Sequence, residues 1–206
     1  ATNTDDAEGF PTSAVGCTSL SESDLEAALA PLRGDIMQVP TTVSAIKVNG
    51  KRAYALARAG EDVELAARPV RISRLEVLEP PRPAECILEE TDGDNAPDEQ
   101  VPSGPVRVVD VDVVVECSSG TYVRALARDA GEALGVGAHL TALRRTRVGD
   151  VPLETAMTLE ELSAAVKSAT PEGEPDVEPV LPLVPLGEAA RTMFPSLLMS
   201  EAEAGA

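Results

Sequence analysis

A strand-like segment that runs directly into a helix-like segment is the feature that most constrains the fold. Apolar residues alternate with polar ones from Val109 to Cys117, a period of two that is typical of a half-buried β-strand. Ser118-Ser119-Gly120 ends that strand, and an apolar stripe then extends from Val123 to Leu134, with Thr121 placed to cap a helix. The sequence therefore predicts a strand–helix junction near residue 122, a position at which α/β proteins often hold their sites.

The residues before this junction predict further short strands. Asn49-Gly50 separates Val43–Val48 from Lys51–Tyr54, and both turn residues tolerate positive φ, so a type I′ hairpin is expected there. The apolar alternation that starts at Val70 changes phase at Leu75, which predicts a strand with a β-bulge. Together with the junction, these elements indicate a mixed α/β chain of the α+β class.

Two stretches lack periodicity and lie outside the predicted packed elements. Residues 84–105 are mainly acidic and rich in Gly and Pro, which predicts a solvated acidic loop between two strands. The chain beyond Pro171 is rich in Pro, Glu and Ala. We therefore predict one domain over residues 1–165, with a linker and the start of a further domain over 166–206. Because the polar opening run resembles the middle of a loop, we expect the natural start to lie upstream.

The composition excludes several classes of protein. Three widely spaced cysteines with no CxxC pair give no support to a disulfide scaffold or a zinc site, and a single histidine disfavours Ser-His-Asp, Cys-His and multi-histidine metal chemistries. No apolar run approaches the roughly 20 residues that span a bilayer, and no basic-plus-apolar signal opens the chain. The sequence thus predicts a cytoplasmic protein with no metal site and no membrane partner, in which His139 has a structural role at a turn.

The charge of the chain is unevenly distributed. A net charge of −18 by itself disfavours a polyanionic partner. Residues 40–75 nevertheless carry seven Lys or Arg against three Asp or Glu, and residues 117–149 carry five against two. Acidic charge elsewhere is screened over about 8–10 Å, so two locally basic faces are compatible with a polyanion ligand. The alternative is that these bases form ordinary solvated faces.

Arg124 is the residue whose position most needs an explanation. It falls in the first turn of the predicted helix, where the macrodipole disfavours a cation by about 0.3–1 kcal/mol. A partly buried carboxylate partner would offset that cost. Tyr122, two residues earlier, can present its ring to a pocket at the end of the strand. The alternative is that Tyr122 packs in the core and Arg124 forms a surface ion pair.

Three segments of the chain resemble the bacterial tRNA pseudouridine synthases of the TruB family, in the family's order. They are ATNTDDAEG, QVPTTVSAIKVNGKRAYALARAG and GTYVRALARDAGEALGVGAHLTALRRTRVG, and the resemblance spans about residues 1–165. It implies the pseudouridine-synthase fold, a mixed and mainly antiparallel sheet flanked by helices, of which this chain carries a part. It also implies a monomer that isomerises the T-loop uridine of tRNA (position 55) to pseudouridine, with no metal or organic cofactor.

The same resemblance implies roles for particular residues. Arg124 is similar to the family arginine that ion-pairs with the catalytic aspartate. Tyr122 is similar to the tyrosine beneath the flipped base, with Leu143 as the apolar residue that packs near it. Three further bases lie in matching motifs and are expected to contact the tRNA: Lys47, Arg144 and Arg145.

One departure from the family pattern bears on activity. The family's catalytic aspartate lies in a Gly-Thr-Leu-Asp-Pro-type loop, and that motif does not occur in these 206 residues. The aspartates that are present do not stand in an equivalent context: Asp5, Asp6, Asp110, Asp112, Asp129 and Asp150. We therefore expect the aspartate upstream and the chain alone to be inactive. A non-catalytic RNA-binding module with the same basic face is the alternative function, and an acidic protein–protein scaffold is a third.

Overall fold

The computed structural model describes residues 1–41, 47–48, 51–52, 65–88, 103–169 and 183–195. The chain divides into two compact units, Ala1–Ala142 and Leu143–Ala206. The predicted division at residue 165 stays a prediction. Within the described residues, none of the helices has both the length and the apolarity that crossing a bilayer requires.

Where it is described, the first unit combines strands with two α-helices. In chain order its elements are α1 (Glu22–Leu29), a 3-10 turn (Ala30–Leu32), β1 (Gly34–Gln38), β2 (Lys47–Val48), β3 (Lys51–Arg52), β4 (Arg68–Val77), β5 (Arg82–Leu88), β6 (Gly104–Asp110), β7 (Val113–Cys117) and α2 (Val123–Ala133). The second unit contains β8 (Arg147–Val148), β9 (Val151–Pro152), a 3-10 turn (Leu153–Thr155), α3 (Leu159–Ala169) and α4 (Leu186–Met193). The strands pair antiparallel, so the predicted mixed α+β class is confirmed.

A three-stranded sheet of order β1-β4-β7 carries the core of the first unit. Its apolar face packs against both helices, and the buried cluster consists of Leu25, Leu29, Val70, Ile72, Leu75, Leu126 and Ala130. The register of β4 against β7 shifts between Ile72 and Arg74. The bulge predicted from the phase change is therefore confirmed, and the shift keeps both Ile72 and Leu75 buried.

The alternating segment 109–117 is two strands, and the prediction of a single strand was wrong. β6 pairs with β5, whereas β7 pairs with β4 in a different sheet. The break falls at Val111–Asp112, where the Asp112 carbonyl accepts a hydrogen bond from the Leu78 backbone N–H at 2.8 Å. The period of two continues through the break, so the pattern alone did not reveal that the strand changes partner.

The predicted acidic loop is shorter than residues 84–105. Residues 84–88 belong to β5 and residues 104–105 to β6, where Glu85 pairs with Arg107 and Cys86 with Val106. Alternate residues of β5 are half-buried in a period of two that the acidic composition masked. Residues 89–102 lie outside the described part of the chain.

The predicted hairpin is confirmed by its register. Lys47 pairs with Arg52 and Val48 with Lys51, which leaves a two-residue connection between β2 and β3. The turn residues Asn49-Gly50 lie outside the described residues.

The start of α2 differs from the prediction by one residue. Tyr122, not Thr121, occupies the N-cap position, and no side chain caps the helix there. The Thr121 hydroxyl instead donates to the Ser118 carbonyl at 2.9 Å, which closes the turn after β7. The last helical residue is Ala133, close to the predicted end.

Candidate active site

The candidate site is built where the N-terminal loop meets the start of α2, both within the first unit. Asp6 forms a parallel bridge with Leu140. The Ala7 N–H donates to the Leu140 carbonyl at 2.9 Å, and the Leu140 N–H donates to the Asp5 carbonyl at 3.0 Å. These bonds hold the loop beside the segment that follows α2, so its two aspartates lie against the helix.

Arg124 forms an ion pair with Asp6. Its Nη1 atom is 2.6 Å from Asp6 Oδ2 and also donates to the Thr4 carbonyl at 3.3 Å. The side chains of Arg124 and Asp6 are 30% and 20% exposed, so the pair is partly shielded from water. The position of Arg124 in the first turn of a helix predicted a carboxylate partner, and Asp6 is a carboxylate that was not singled out for that role from the sequence.

The Asp6 carboxylate is held at both oxygens. Oδ1 accepts from the Thr4 hydroxyl at 2.6 Å and from the Glu8 backbone N–H at 3.1 Å, while Oδ2 accepts from Arg124. Burial alone would raise the pKa of Asp6, but the hydrogen bonds from Thr4, Arg124 and Glu8 outweigh it and hold the pKa below its usual value. Asp6 is therefore an ionised anchor whose lone pairs are largely engaged.

A second ion pair lies one helical turn further along α2. Arg128 Nη1 is 3.2 Å from Asp5 Oδ2, and Arg128 Nη2 is 2.8 Å from Asp129 Oδ1. The same Nη2 donates to the Val39 carbonyl at 2.7 Å. Burial raises the pKa of Asp5, and the positive charge of Arg128 acts against that rise. Asp5 also has a φ of 60°, in the left-handed region that Asp tolerates better than most residues.

Tyr122 is half-buried and stands two positions before Arg124 in the chain. Its backbone is held by the side chain of Gln38, which is 2% exposed. Gln38 Nε2 donates to the Tyr122 carbonyl at 3.1 Å, and the Tyr122 N–H donates to Gln38 Oε1 at 2.9 Å. The structure thus brings Tyr122 and Arg124 together with Asp6 in one region.

The other predicted site residues belong to different elements of the chain. Leu143, Arg144 and Arg145 belong to the second unit, where all are exposed, with Leu143 at 58%. The backbone of Lys47 lies in β2. Their assigned roles stay predictions.

Two residues of the site were not predicted from the sequence. Asp6 and Gln38 both lie inside motifs that carried the family resemblance, so the segments were singled out but the individual residues were not. The signal for Asp6 was the excess of hydrogen-bonding residues in Thr2-Asn3-Thr4-Asp5-Asp6. Gln38 ends a strand of otherwise mixed polarity and carried no local signal.

His139 is half-buried beside this region. Burial lowers the pKa of its imidazole below the usual value. Among the described residues, no group of His, Cys, Asp and Glu is arranged to hold a metal ion.

These features define an α+β protein with an arginine-centred polar site at a strand–helix junction. Residues 1–123 match the sequence model of the TruB family pseudouridylate synthase N-terminal domain, and residues 124–185 match that of the tRNA pseudouridylate synthase B C-terminal domain. The chain belongs to the TruB family of pseudouridylate synthases.

Curated relatives support this assignment. The chain is 57% identical over 162 residues to tRNA pseudouridine synthase B of Mycobacteroides abscessus, which covers 79% of this chain and 47% of the relative. It is 50% identical over 204 residues to tRNA pseudouridine synthase B of Nocardia farcinica, which covers 99% of this chain and 55% of the relative. The chain thus spans about half the length of the curated relatives it matches.

A similar solved structure is a crystal structure of a Cbf5-Nop10-Gar1 complex. The matched chain is 26% identical, with a TM-score of 0.44, and the match covers 71% of this chain and 32% of that chain.

Proposed function

We propose that the full-length protein is a tRNA pseudouridine synthase that isomerises the T-loop uridine at position 55 to pseudouridine. Membership of the TruB family and the names of the curated relatives support this reaction class. The observation that carries the proposal is the partly shielded ion pair between Arg124 and Asp6. Arg124 lies in the first turn of α2, two residues after Tyr122.

The proposed chemistry explains these residue types. An enzyme that acts on a base in a folded RNA has to extrude that base into a pocket. An aromatic ring such as that of Tyr122 can hold an extruded base by stacking, which is worth about 1–3 kcal/mol. The proposed nucleophile is an aspartate, and an arginine beside it keeps it ionised and oriented.

Arg124 is the residue proposed to hold that aspartate. Its planar guanidinium carries five N–H donors and can serve more than one acceptor. Asp6 accepts three hydrogen bonds, from Thr4, Glu8 and Arg124, so most of its lone pairs hold the loop and Arg124 and are not directed at the sugar. Asp6 is therefore proposed as the anchor of Arg124, and the nucleophile as the aspartate of the family's Gly-Thr-Leu-Asp-Pro-type loop.

The remaining predicted residues complete the proposal. Leu143 would pack near the base, and Lys47, Arg144 and Arg145 would contact the phosphates of the T-arm. Arg144 and Arg145 are exposed, as a phosphate contact requires. The proposed enzyme is a cytoplasmic monomer that uses neither metal nor organic cofactor.

The proposal is tested by tritium release from a T-arm RNA that carries [5-³H]uridine at position 55. The full-length protein should release tritium, and the 206 residues alone should not, because they lack the aspartate-bearing motif. RNA binding by the full-length protein without any tritium release would support the non-catalytic binding module instead. Turnover by the 206 residues alone would contradict the proposed source of the nucleophile.

A further inference from the structure

A single buried side chain satisfies both backbone groups of the residue that precedes α2. The Gln38 amide donates to the Tyr122 carbonyl at 3.1 Å and accepts from the Tyr122 N–H at 2.9 Å. The side chain is 2% exposed, so water does not compete for these bonds. The two residues lie 84 positions apart in the chain, so the contact depends on the tertiary fold.

The Tyr122 carbonyl also accepts the Leu126 N–H of α2 at 3.4 Å, so the backbone group that most needs such a partner is the Tyr122 N–H. Tyr122 is the N-cap residue, with an extended backbone (φ −99°, ψ 102°), and no side chain caps the helix there. A shielded backbone N–H or C=O without a partner is costly, and a side-chain amide is one group that can serve both at once. Gln38 therefore acts on Tyr122 as a neighbouring strand would.

The sheet itself does not supply this connection. β1 and β7 both pair with β4 and not with each other, so no ladder hydrogen bond in the described sheet joins the end of β1 to the segment after β7. Gln38 is the last residue of β1. The next residue, Val39, accepts a hydrogen bond from Arg128 at 2.7 Å, one turn beyond Arg124. The end of β1 thus holds the first turns of α2 at two points.

We propose that Gln38 is a positioning residue for the isomerisation: its amide fixes the backbone of Tyr122 and thereby the direction of the Tyr122 ring and the Arg124 guanidinium. The inference rests on the proposed function. The hydrogen bonds of the Gln38 amide go to the Tyr122 backbone, so its effect on Arg124 passes through that backbone. A rotation of Tyr122 would displace the ring beneath the base and tilt the first turn of the helix that carries Arg124.

The functional test compares Gln38→Met with a matched core variant in the full-length protein. Methionine is close to glutamine in length and keeps the volume but forms neither hydrogen bond. Leu25→Ala, in α1, removes buried volume from the hydrophobic core of the same unit. We expect Gln38→Met to lower the single-turnover rate of tritium release at least tenfold at saturating RNA, with the RNA Kd within threefold of the wild type. Leu25→Ala should keep both the single-turnover rate and the RNA Kd within threefold of the wild type.

A second variant covers the case in which Gln38→Met does not fold. Gln38→Glu keeps the size and an acceptor oxygen for the Tyr122 N–H but replaces the donating NH2 group by a carboxylate oxygen against the Tyr122 carbonyl. Burial raises the pKa of such a carboxyl, and its protonated form can donate as the amide does. We expect the ratio of its rate to the wild-type rate to be lowest at pH 8 and to rise at least threefold towards pH 6.

A third measurement does not depend on activity. Loss of the bond from the Tyr122 N–H should raise the hydrogen-exchange rate of that amide at least tenfold in Gln38→Met. The amide of Leu134, which donates to the Ala130 carbonyl within the same helix, serves as the internal control and should change less than threefold.

The outcomes separate the two proposals. A wild-type protein without tritium release overturns the proposed function and with it the positioning role of Gln38, whatever the exchange data show. An active wild type, together with Gln38 variants that convert RNA within threefold of its rate at every pH, overturns the positioning role and leaves the proposed function standing. An unchanged hydrogen-exchange rate of the Tyr122 amide in Gln38→Met overturns the proposal that Gln38 fixes the Tyr122 backbone.

Discussion

Arg124 and Asp6 lie 118 positions apart in the chain, and their Nη1 and Oδ2 atoms are 2.6 Å apart. The pair explains why a cation is tolerated in the first turn of α2, where the helix dipole disfavours it by about 0.3–1 kcal/mol. Since Asp6 is itself held by Thr4 and Glu8, the loop fixes the carboxylate and the carboxylate fixes the guanidinium.

The first prediction concerns the shape of the Arg124 side chain. Arg124→Lys keeps the charge but loses the planar fork, which a lysine ammonium does not reproduce. In the full-length protein we expect the single-turnover rate of tritium release to fall by at least about 100-fold, an effect of roughly 2.7 kcal/mol on the barrier, with RNA affinity within a few-fold.

Arg71→Lys is the matched control for that experiment. Arg71 also pairs with an aspartate, Asp35, but both side chains are more than 60% exposed. The control should retain the wild-type rate. A wild-type rate in Arg124→Lys itself would remove Arg124 from the proposed mechanism.

The second prediction concerns Asp6 as an anchor. Asp6→Asn removes the negative charge from a partly shielded pair and should lower the free energy of unfolding by about 1–3 kcal/mol, between the values for exposed and fully buried pairs. The exposed counterpart Asp35→Asn should cost at most about 0.5 kcal/mol. Urea denaturation of both variants measures the difference, and equal effects would contradict the anchoring role.

The same pair predicts a pH dependence. The pKa of Asp6 is lower in the folded chain than in the unfolded chain, so its stabilising effect is present above the unfolded value of about 3.9 and is lost as the pH falls through the folded value. The urea midpoint of the wild type should therefore fall more steeply than that of Asp6→Asn below about pH 4. Parallel curves of urea midpoint against pH would show that the Arg124–Asp6 pair does not contribute to stability.

The third prediction concerns His139, the one histidine of the sequence. Burial lowers its pKa, so the unfolded chain binds more protons between the folded value and about 6.5. The free energy of unfolding should therefore rise with pH through that window. Urea denaturation from pH 5 to 7.5 should show this rise in the wild type and a flatter curve in His139→Gln; the same slope in both would assign it to other groups.

The fourth prediction concerns the close approach between α2 and the segment after it. A Cβ at Gly131 would lie 2.2 Å from the Ala138 backbone nitrogen and 2.4 Å from the Gly137 carbonyl carbon. Gly131→Ala should therefore destabilise the protein by about 1–3 kcal/mol, as overpacking does. It should also disturb Leu140, which holds Asp5 in place, and so lower activity.

Gly135→Ala separates the clash from the loss of a glycine. A Cβ there meets open space, and its φ of +71° leaves only backbone strain, which costs about 1–2 kcal/mol. Thermal and urea unfolding measure stability, and tritium release measures activity. Full activity in Gly131→Ala would show that the loop tolerates the shift.

The fifth prediction concerns the basic residues of the second unit. Each phosphate contact contributes about 0.7–0.9 to the slope of log K against log salt concentration. Replacing both Arg144 and Arg145 with Gln should lower that slope for T-arm RNA by about 1.4–1.8, as measured by filter binding at several salt concentrations. Arg191→Gln, in α4 of the same unit, is the control; an unchanged slope in the double variant would exclude both arginines from the RNA contact.

The sequence by itself determined the elements that depend on short-range patterns. The Asn49-Gly50 hairpin, the bulge in β4 and the length of α2 each follow from a period or a turn residue within about ten positions, and the register and bounds confirm them. Three motifs in the family's order also indicated the resemblance to the TruB family. Such features depend on neighbouring residues, whose spacing the sequence displays directly.

Only the tertiary structure decided which residues meet at the site. Asp6 is chemically equivalent to the other aspartates of the chain, and Gln38 has no local signal, yet these two hold Arg124 and Tyr122 across 118 and 84 positions. The break between β6 and β7 belongs to the same class, because a period of two does not record which strand pairs with which. A partner at long range is selected by packing of the whole unit, and local periodicity carries no information about it.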